Sequence, residues 1–328
     1  MDLAKRRRSF RPRYTQAMQT IRMHPVDLTS TPTTSSTSED GSAPFVLVLG
    51  TTQDGGHPQI GCKLDCCHGH RQQDRQLIAS LAIVDPRSGE RWLVDASPDL
   101  PEQLRDLEDC CPRSQEQATL DGIFLTHAHI GHYTGLMYLG REALGSRGTP
   151  VWAMPDMRRF LRENGPWSQL VDLQNIHLMA LDDGEVVQLN DRLSLQPFLV
   201  PHRAEFSETV GFLIRGPARA VAWLPDIDQW GRWSRPVEEL VQEVDLALLD
   251  GTFYRRDELE RDMNEVPHPL IVESMDRLAA LPDQVRAGVR FIHFNHTNPA
   301  LREDSEATQA IRARGFGLAR RGDRFSLC

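Results

Sequence analysis

The clearest signal along the chain is a series of short apolar runs, each bounded by glycine, proline or charged residues. Runs of this length that are rich in Val, Ile and Leu are typical of buried strands. The predicted strands cover residues 45–50, 77–85, 91–95, 122–125, 151–155, 176–181, 185–189, 193–201, 209–214, 220–224 and 244–249, with a further strand from Val289 onward.

Helical patterns separate several of these strands. Helices are predicted near residues 102–107, from Tyr133 to about Leu144, over 156–163 before Asn164-Gly165, and after Pro269 to about Leu281. A first half of strands and helices followed by a similar second half predicts an α/β (α+β) fold. We expect residues 44–328 to form a single αββα sandwich, with two mixed β-sheets flanked by helices and the site at one edge.

The first 43 residues have a different composition from the rest. Residues 5–13 form a basic cluster, and residues 29–42 are dominated by Ser, Thr and Pro. The arginines resemble a twin-arginine export signal, but no apolar segment follows them. We therefore expect residues 1–43 to be a disordered tail and the protein to be cytoplasmic.

Composition narrows the partners of this chain. It has 328 residues, 40% of them apolar, and a formal net charge of −9 with a pI near 5.7. An acidic body argues against nucleic acid, because phosphate binding needs a basic surface. No apolar run reaches the roughly 18 residues of a membrane span. A small-molecule substrate is the expected partner, and a homodimer remains one option for the oligomeric state.

A cluster of histidines follows the predicted strand at residues 122–125. His127 and His129 are two residues apart, so on an extended segment they point the same way and can bind one ion. His132 lies past the turn and can reach the far side of that ion or a second one. Neutral imidazole suits Zn²⁺ and also iron. The alternative is a polar loop that happens to be rich in histidine.

Other strand ends carry further candidates for the same site, because loops at the edge of a sheet collect functional residues. These candidates are His202, Asp226, Asp250 and His296. His177 lies inside a predicted strand and is interpreted as an ordinary strand residue.

A second concentration of ligand-type side chains lies earlier in the chain. Cys62, Cys66 and Cys67 crowd into six residues, and such a density of thiolates favours a tetrahedral structural zinc site. His57 is a candidate for its fourth ligand. The alternative is a reduced surface cluster, because the spacing is not the familiar C-x-x-C pair.

Together these residues resemble the metallo-β-lactamase superfamily, whose signature is H-x-H-x-D-H after a strand, followed by a further His, a bridging Asp and a last His. The resemblance implies one ligand set, namely His127, His129, His132, His202, Asp226 and His296. Gly131 stands where the family has the Asp that binds the second metal. The candidates to replace that carboxylate remain open: Asp54, Asp228, Asp250, His57 and His268.

A more detailed likeness, over residues 45–328, is to the coenzyme PQQ synthesis protein B branch of this superfamily. It is carried by Gly55–Gln59, Thr134–Leu136, Asp250–Thr252 and Thr297–Pro299. That branch keeps the Asp-His end of the signature loop and lacks the leading histidines. This chain keeps all three histidines and lacks the Asp.

These features predict a metal-dependent hydrolase that uses one or two Zn²⁺ ions to activate water. His127, His129 and His202 would bind the first ion, and Asp226 would orient the nucleophile or bridge to a second. Asp250 is a catalytic candidate or a partner of a ligand histidine. An ester, lactone, amide or phosphodiester would suit this chemistry. Two alternatives are an Fe²⁺ oxygenase of pyrroloquinoline quinone (PQQ) biosynthesis and a non-catalytic metal-binding or carrier protein.

Overall fold

The computed structural model describes residues 42–69, 75–114, 116–259 and 267–328. The predicted tail, residues 1–43, lies outside this part of the chain except for its last two positions. No helix in the described ranges is long and apolar enough to cross a membrane.

The described strands form two seven-stranded sheets. The first has the order β14-β1-β2-β3-β4-β5-β6 and the second the order β13-β12-β11-β10-β9-β8-β7. The first sheet is built from β1 (Phe45–Gly50), β2 (Ser80–Asp85), β3 (Glu90–Val94), β4 (Gly122–Phe124), β5 (Thr149–Ala153), β6 (Ile176–Ala180) and β14 (Arg324–Ser326). The second is built from β7 (Val187–Gln188), β8 (Ser194–Leu199), β9 (Val210–Arg215), β10 (Ala220–Leu224), β11 (Leu246–Asp250), β12 (Val289–Ile292) and β13 (Gly317–Leu318).

Helices cover the outer face of each sheet. They are α1 (Leu100–Cys110), α2 (Ile130–Tyr133), α3 (Pro155–Glu163), α4 (Trp167–Asp172), α5 (Val237–Glu243), α6 (Ile271–Leu278), α7 (Asp283–Ala287) and α8 (Glu306–Ala313). One apolar core lies between the sheets, and two others pack the helices onto the outer faces. This arrangement confirms the predicted αββα sandwich.

The strand directions decide where a site can form. Strands β3 to β6 run parallel to one another, and so do β10 to β13, while the remaining pairs are antiparallel. The carboxyl ends of parallel strands share one edge of their sheet, which is where ligands bind in open α/β sheets. Both sheets therefore present such an edge.

The helix predicted from Tyr133 to about Leu144 is wrong in length. A single α-turn, α2, passes into a tighter 3₁₀ segment at Thr134–Leu139 and ends there. Gly135 explains the change, because its N–H donates to the carbonyl of Ala96 (2.9 Å) on the neighbouring loop. A Cβ at this glycine would lie 2.1 Å from the carbonyl oxygen of Ser97, so the backbone here lies closer to the loop after β3 than a residue with a side chain allows.

Candidate metal centre

The loops after β4, β8, β10 and β12 meet at one edge of the sandwich and carry the predicted ligands. His127 follows β4, His202 follows β8, Asp226 follows β10, and His293 follows β12. All four side chains are buried to at least 97% in their side-chain atoms. A buried polar side chain is destabilising unless it has a hydrogen-bond or metal partner. Four such side chains that converge on one point are therefore candidates for binding a common ion.

The first cluster consists of His127, His129, His202 and Asp226, whose ligand atoms lie within 4.8 Å of one another. Nε2 of His202 is 3.3 Å from Nδ1 of His129, and Nε2 of His127 is 2.8 Å from the same atom. Carboxylate oxygens of Asp226 lie 3.3 Å from both Nε2 atoms. A tetrahedral zinc with Zn–N bonds of about 2.0 Å separates its ligands by roughly 3.3 Å, so these atoms fit one ion.

The second cluster shares Asp226 and adds His132 and His293. Oδ2 of Asp226 is 3.9 Å from Nε2 of His132 and 4.0 Å from Nε2 of His293. Within the described residues, neither buried Nε2 atom has a hydrogen-bond partner. Two orphaned nitrogens that face one carboxylate, beyond hydrogen-bond distance, fit the donor set of a divalent cation.

His296, predicted as the last ligand of this centre, lies in a different cluster, and His293 takes its place. His293 comes directly after the last residue of β12 and has a φ of 65°, which turns its side chain into the centre. His296 lies three residues further on, past the sheet edge. The sequence signal that could have identified His293 is its position at the strand end, the criterion that had selected the other ligands.

A supporting side chain fixes the ring of each of four histidines that could bind a metal ion. Metal-binding histidines usually place their second ring nitrogen against such a partner, which sets the tautomer and the ring orientation. Here each Nδ1 lies against an oxygen and each Nε2 faces the centre. The pairs are His127 with Thr126 (3.0 Å), His132 with Asp95 (2.8 Å), His202 with Asp228 (3.2 Å) and His293 with Thr252 (3.1 Å).

Charge in the centre is concentrated on Asp226. Burial alone would raise its pKa, but His202, His293 and His268 hold the pKa of Asp226 well below its usual range. Burial lowers the pKa of His127 well below its usual range, with the charge on His132 acting in the same direction. The centre thus combines an anionic carboxylate with imidazole rings, the donor types that Zn²⁺ binds.

Asp250, the second predicted catalytic residue, is fully buried and holds other groups in place. One oxygen accepts hydrogen bonds from the N–H (2.9 Å) and hydroxyl (2.7 Å) of Thr252. The other accepts from Nδ1 of His268 (2.9 Å) and from the N–H of Ile227 (3.1 Å). His268 Nδ1 is also 3.3 Å from Asp226, so Asp250 acts on the centre through His268.

A family model described as "Beta-lactamase superfamily domain" matches residues 90–312. The chain belongs to this superfamily. Coenzyme PQQ synthesis protein B of Methylobacterium nodulans is 29% identical over 307 residues, which cover 84% of this chain and 97% of that protein. The protein of the same name from Nitrosococcus oceani is 27% identical over 309 residues, again covering 84% and 97%.

Solved structures confirm the metallo-β-lactamase fold of this superfamily member. Zn²⁺-bound PqqB from Methylobacterium extorquens superposes with a TM-score of 0.71 at 23% identity, covering 86% of this chain and 100% of that one. A diphosphatase of the PhnP family superposes with a TM-score of 0.61 at 22% identity, covering 87% and 98%. The resemblance predicted from the histidine loop is therefore confirmed.

The cysteine cluster of this superfamily member has a histidine as its fourth member, but not the predicted one. Cys62, Cys66, Cys67 and His296 have ligand atoms within 4.8 Å of one another. His296 Nδ1 is 3.5 Å from the sulfur of Cys66 and 3.4 Å from that of Cys67, and the two sulfurs are 3.9 Å apart. His57 instead donates a hydrogen bond from Nε2 to the carbonyl of Cys66 (2.7 Å). This contact stabilises the loop and leaves that nitrogen unavailable as a ligand.

These spacings fit a tetrahedral zinc. With Zn–S bonds of about 2.3 Å and Zn–N bonds of about 2.0 Å, ligand separations of roughly 3.8 Å for S–S and 3.5 Å for S–N are expected. Burial and the neighbouring Cys67 raise the pKa of Cys66 to about 12, and burial also raises the pKa of Cys67. A cation that stabilises thiolates is the natural complement of such a group.

One prediction concerns Asp95, which sequence reasoning did not single out. Its Oδ2 accepts from Nδ1 of His132, and Oδ1 accepts from the N–H (2.8 Å) and hydroxyl (2.9 Å) of Thr126. Asp95→Asn keeps the shape but removes the charge, and we expect roughly 10- to 100-fold weaker binding of the ion at His132. Competition with a metal chelator measures this affinity.

The control for Asp95 is Asp109→Asn, which removes a carboxylate on an exposed part of α1. It should leave the metal affinity unchanged. If Asp95→Asn lowers the melting temperature but keeps the wild-type affinity, Asp95 supports the fold and does not position His132.

Proposed function

We propose that this protein is a metal-dependent hydrolase with a two-ion centre that acts on a small ester, lactone, amide or phosphodiester. The observation that supports it is the position of Asp226, whose carboxylate belongs to both clusters of histidines. A carboxylate shared between two ligand sets is what a bridged pair of ions requires. The donors are oxygen and nitrogen, which suits Zn²⁺.

The chemistry that bound Zn²⁺ supplies is the polarisation of water, which lowers the pKa of that water to about 7. The residues of the chain provide the arrangement. Asp226 lies at the centre and would accept a hydrogen bond from the attacking water. His268 Nδ1 is hydrogen-bonded to Asp250 (2.9 Å) and lies next to Asp226 (3.3 Å). Orientation of this kind contributes to catalysis by holding the reacting groups before the reaction begins.

The test is the double substitution His127→Ala with His129→Ala. We expect the loss of the ion at the first cluster, because two of its four donors disappear. The activity is measured on a panel of chromogenic esters, lactones, amides and phosphodiesters. For every compound that the wild type hydrolyses, the rate should fall at least about 100-fold, the scale expected when ligands of a catalytic metal are removed. Element-resolved metal analysis of the purified proteins measures ion content alongside the rates.

A matched control is His177→Ala, which removes an exposed histidine from β6. It should keep the wild-type metal content and rates. Full metal content in the double variant would overturn the assignment of the first cluster. Metal binding by the wild type without turnover of any compound class would instead favour a metal-binding or carrier protein.

A second function has its own support, namely the similarity to coenzyme PQQ synthesis protein B along 84% of the chain. By that similarity the protein would act in PQQ synthesis, with Fe²⁺ at the histidine and carboxylate donors, which also suit iron. Oxygen consumption by Fe²⁺-loaded protein with a tyrosine-containing peptide distinguishes this role. Uptake of oxygen without hydrolysis of the panel would replace the hydrolase proposal.

A further inference from the structure

The second cluster consists of three side chains, and a further carboxylate, that of Asp54, lies beside its loop at Gly131. Asp54 lies in the loop after β1, and its Oδ1 accepts a hydrogen bond from the N–H of Gly131 at 2.6 Å. Gly131 occupies the position between His129 and His132 where this superfamily has a metal-binding aspartate. The two residues are 77 positions apart in sequence but touch in the structure.

The Asp54 carboxylate occupies the space that a side chain at residue 131 would need. A Cβ placed on Gly131 would lie 2.3 Å from Oδ1 and 3.0 Å from Cγ of Asp54, and 2.9 Å from its Cα. Real Cβ atoms do not approach other atoms this closely, so an aspartate at 131 and the present position of Asp54 exclude each other. The absence of a side chain at Gly131 is thus what makes room for the carboxylate of Asp54.

Asp54 also acts electrically on the second cluster. Its charge favours protonation of both His132 and His293, although burial lowers the pKa of His293 overall. These are the two histidines whose Nε2 atoms have no hydrogen-bond partner in the described residues. Within the described part of the chain, Oδ2 of Asp54 accepts no hydrogen bond, and it is the oxygen left for a ligand.

We propose that Asp54 is the replacement carboxylate of the second metal position, supplied by the loop after β1 instead of the histidine loop. This inference rests on the proposed two-ion centre. The complete second set is then Asp54, His132, Asp226 and His293. An aspartate on the loop after β1 and an aspartate at position 131 would both offer a carboxylate oxygen to the ion. For a hard or borderline divalent cation, the type of donor atom matters more than the position of the donor in the sequence.

The experiment compares metal binding by four full-length proteins: wild type, Asp54→Asn, the exchange Asp54→Gly with Gly131→Asp, and the control Asp109→Asn. Asparagine keeps the acceptor for the Gly131 N–H, so the loop should fold, which circular dichroism verifies. Zn²⁺ titration against a chelator gives each affinity. Co²⁺ loading separates the sites, because only an ion at the cysteines shows thiolate-to-metal charge transfer.

We expect two ions in the histidine centre of the wild type and of the Asp109→Asn control. Asp54→Asn should keep the first ion and bind the second at least about 100-fold more weakly, since losing a ligand costs no less than losing a supporting partner. The exchange variant should recover the second ion to within about 10-fold, because the carboxylate returns from the other loop.

Four results would overturn the inference, and they separate it from the proposed function. Unchanged affinity for two ions in Asp54→Asn, or no recovery in the exchange variant, removes the role of Asp54 alone. A wild type with a single ion in the histidine centre also removes that role but leaves a one-ion hydrolase. A wild type with no ion in that centre overturns both.

Discussion

Replacing Asp226 by alanine is expected to empty both clusters at once and to abolish hydrolysis. Its oxygens lie 3.3 Å from His127 and His202 on one side, and 3.9 and 4.0 Å from His132 and His293 on the other. No other carboxylate belongs to both of these groups of described residues. Loss of a bridging ligand should lower the rate by roughly 10³-fold or more, the scale of removing metal-based charge stabilisation.

The Asp226 experiment gains from a comparison with His293→Ala, which removes a ligand of the second cluster only. Metal analysis should show no ion in the histidine centre of Asp226→Ala, but one in His293→Ala. The cysteine cluster should keep its ion in both proteins. Retention of two ions by Asp226→Ala would show that the histidines bind metal independently of the carboxylate, and the bridged centre would then be wrong.

The second large effect is expected from the double substitution Cys66→Ser with Cys67→Ser. These sulfurs and His296 join the loop after β1 to the loop after β12, so an ion there links the two sheets. We expect the loss of one zinc per chain. The melting temperature should fall by about 10 °C, because a structural metal contributes several kcal/mol and each kcal/mol shifts a domain of this size by roughly 2–4 °C.

The chain contains a matched control for this variant, the adjacent pair Cys110 and Cys111 at the end of α1. Their sulfurs are 3.6 Å apart, and they belong to no group of described residues that could bind a metal. Cys110→Ser with Cys111→Ser should keep the zinc content and the melting temperature. If both double variants behave alike, the cysteine cluster is a set of reduced thiols and not a metal site.

Sequence reasoning predicted the fold well because the strands are buried on both faces. The run at residues 45–50 is apolar along its whole length, and β1 covers the same six residues with all of them buried. Continuous apolar runs bounded by turn residues leave little choice of register or length. Helices with a less distinct hydrophobic pattern were predicted less well: α5 and α8 were not predicted, and the helix after the histidine loop was predicted too long.

The site was predictable where a ligand ends a strand, as His127, His202 and Asp226 do. The same criterion, applied consistently, would have selected His293, which directly follows β12, over His296 three residues further on. The φ of 65° at His293 is a feature that the sequence did not predict. Asp95 and Asp54 act from other segments through contacts at 37 and 77 positions' separation, which no local pattern shows.

In the proposed two-ion centre, the shared position of Asp226 couples the binding of the two ions. Two binding equilibria that use one carboxylate are thermodynamically linked, so any factor by which the first ion changes the affinity for the second must also apply in reverse. Two cations repel each other, while the first to bind also draws the ring nitrogens into place. The sign of the resulting cooperativity, read from a metal titration curve, therefore reports whether preorganisation or repulsion dominates in this centre.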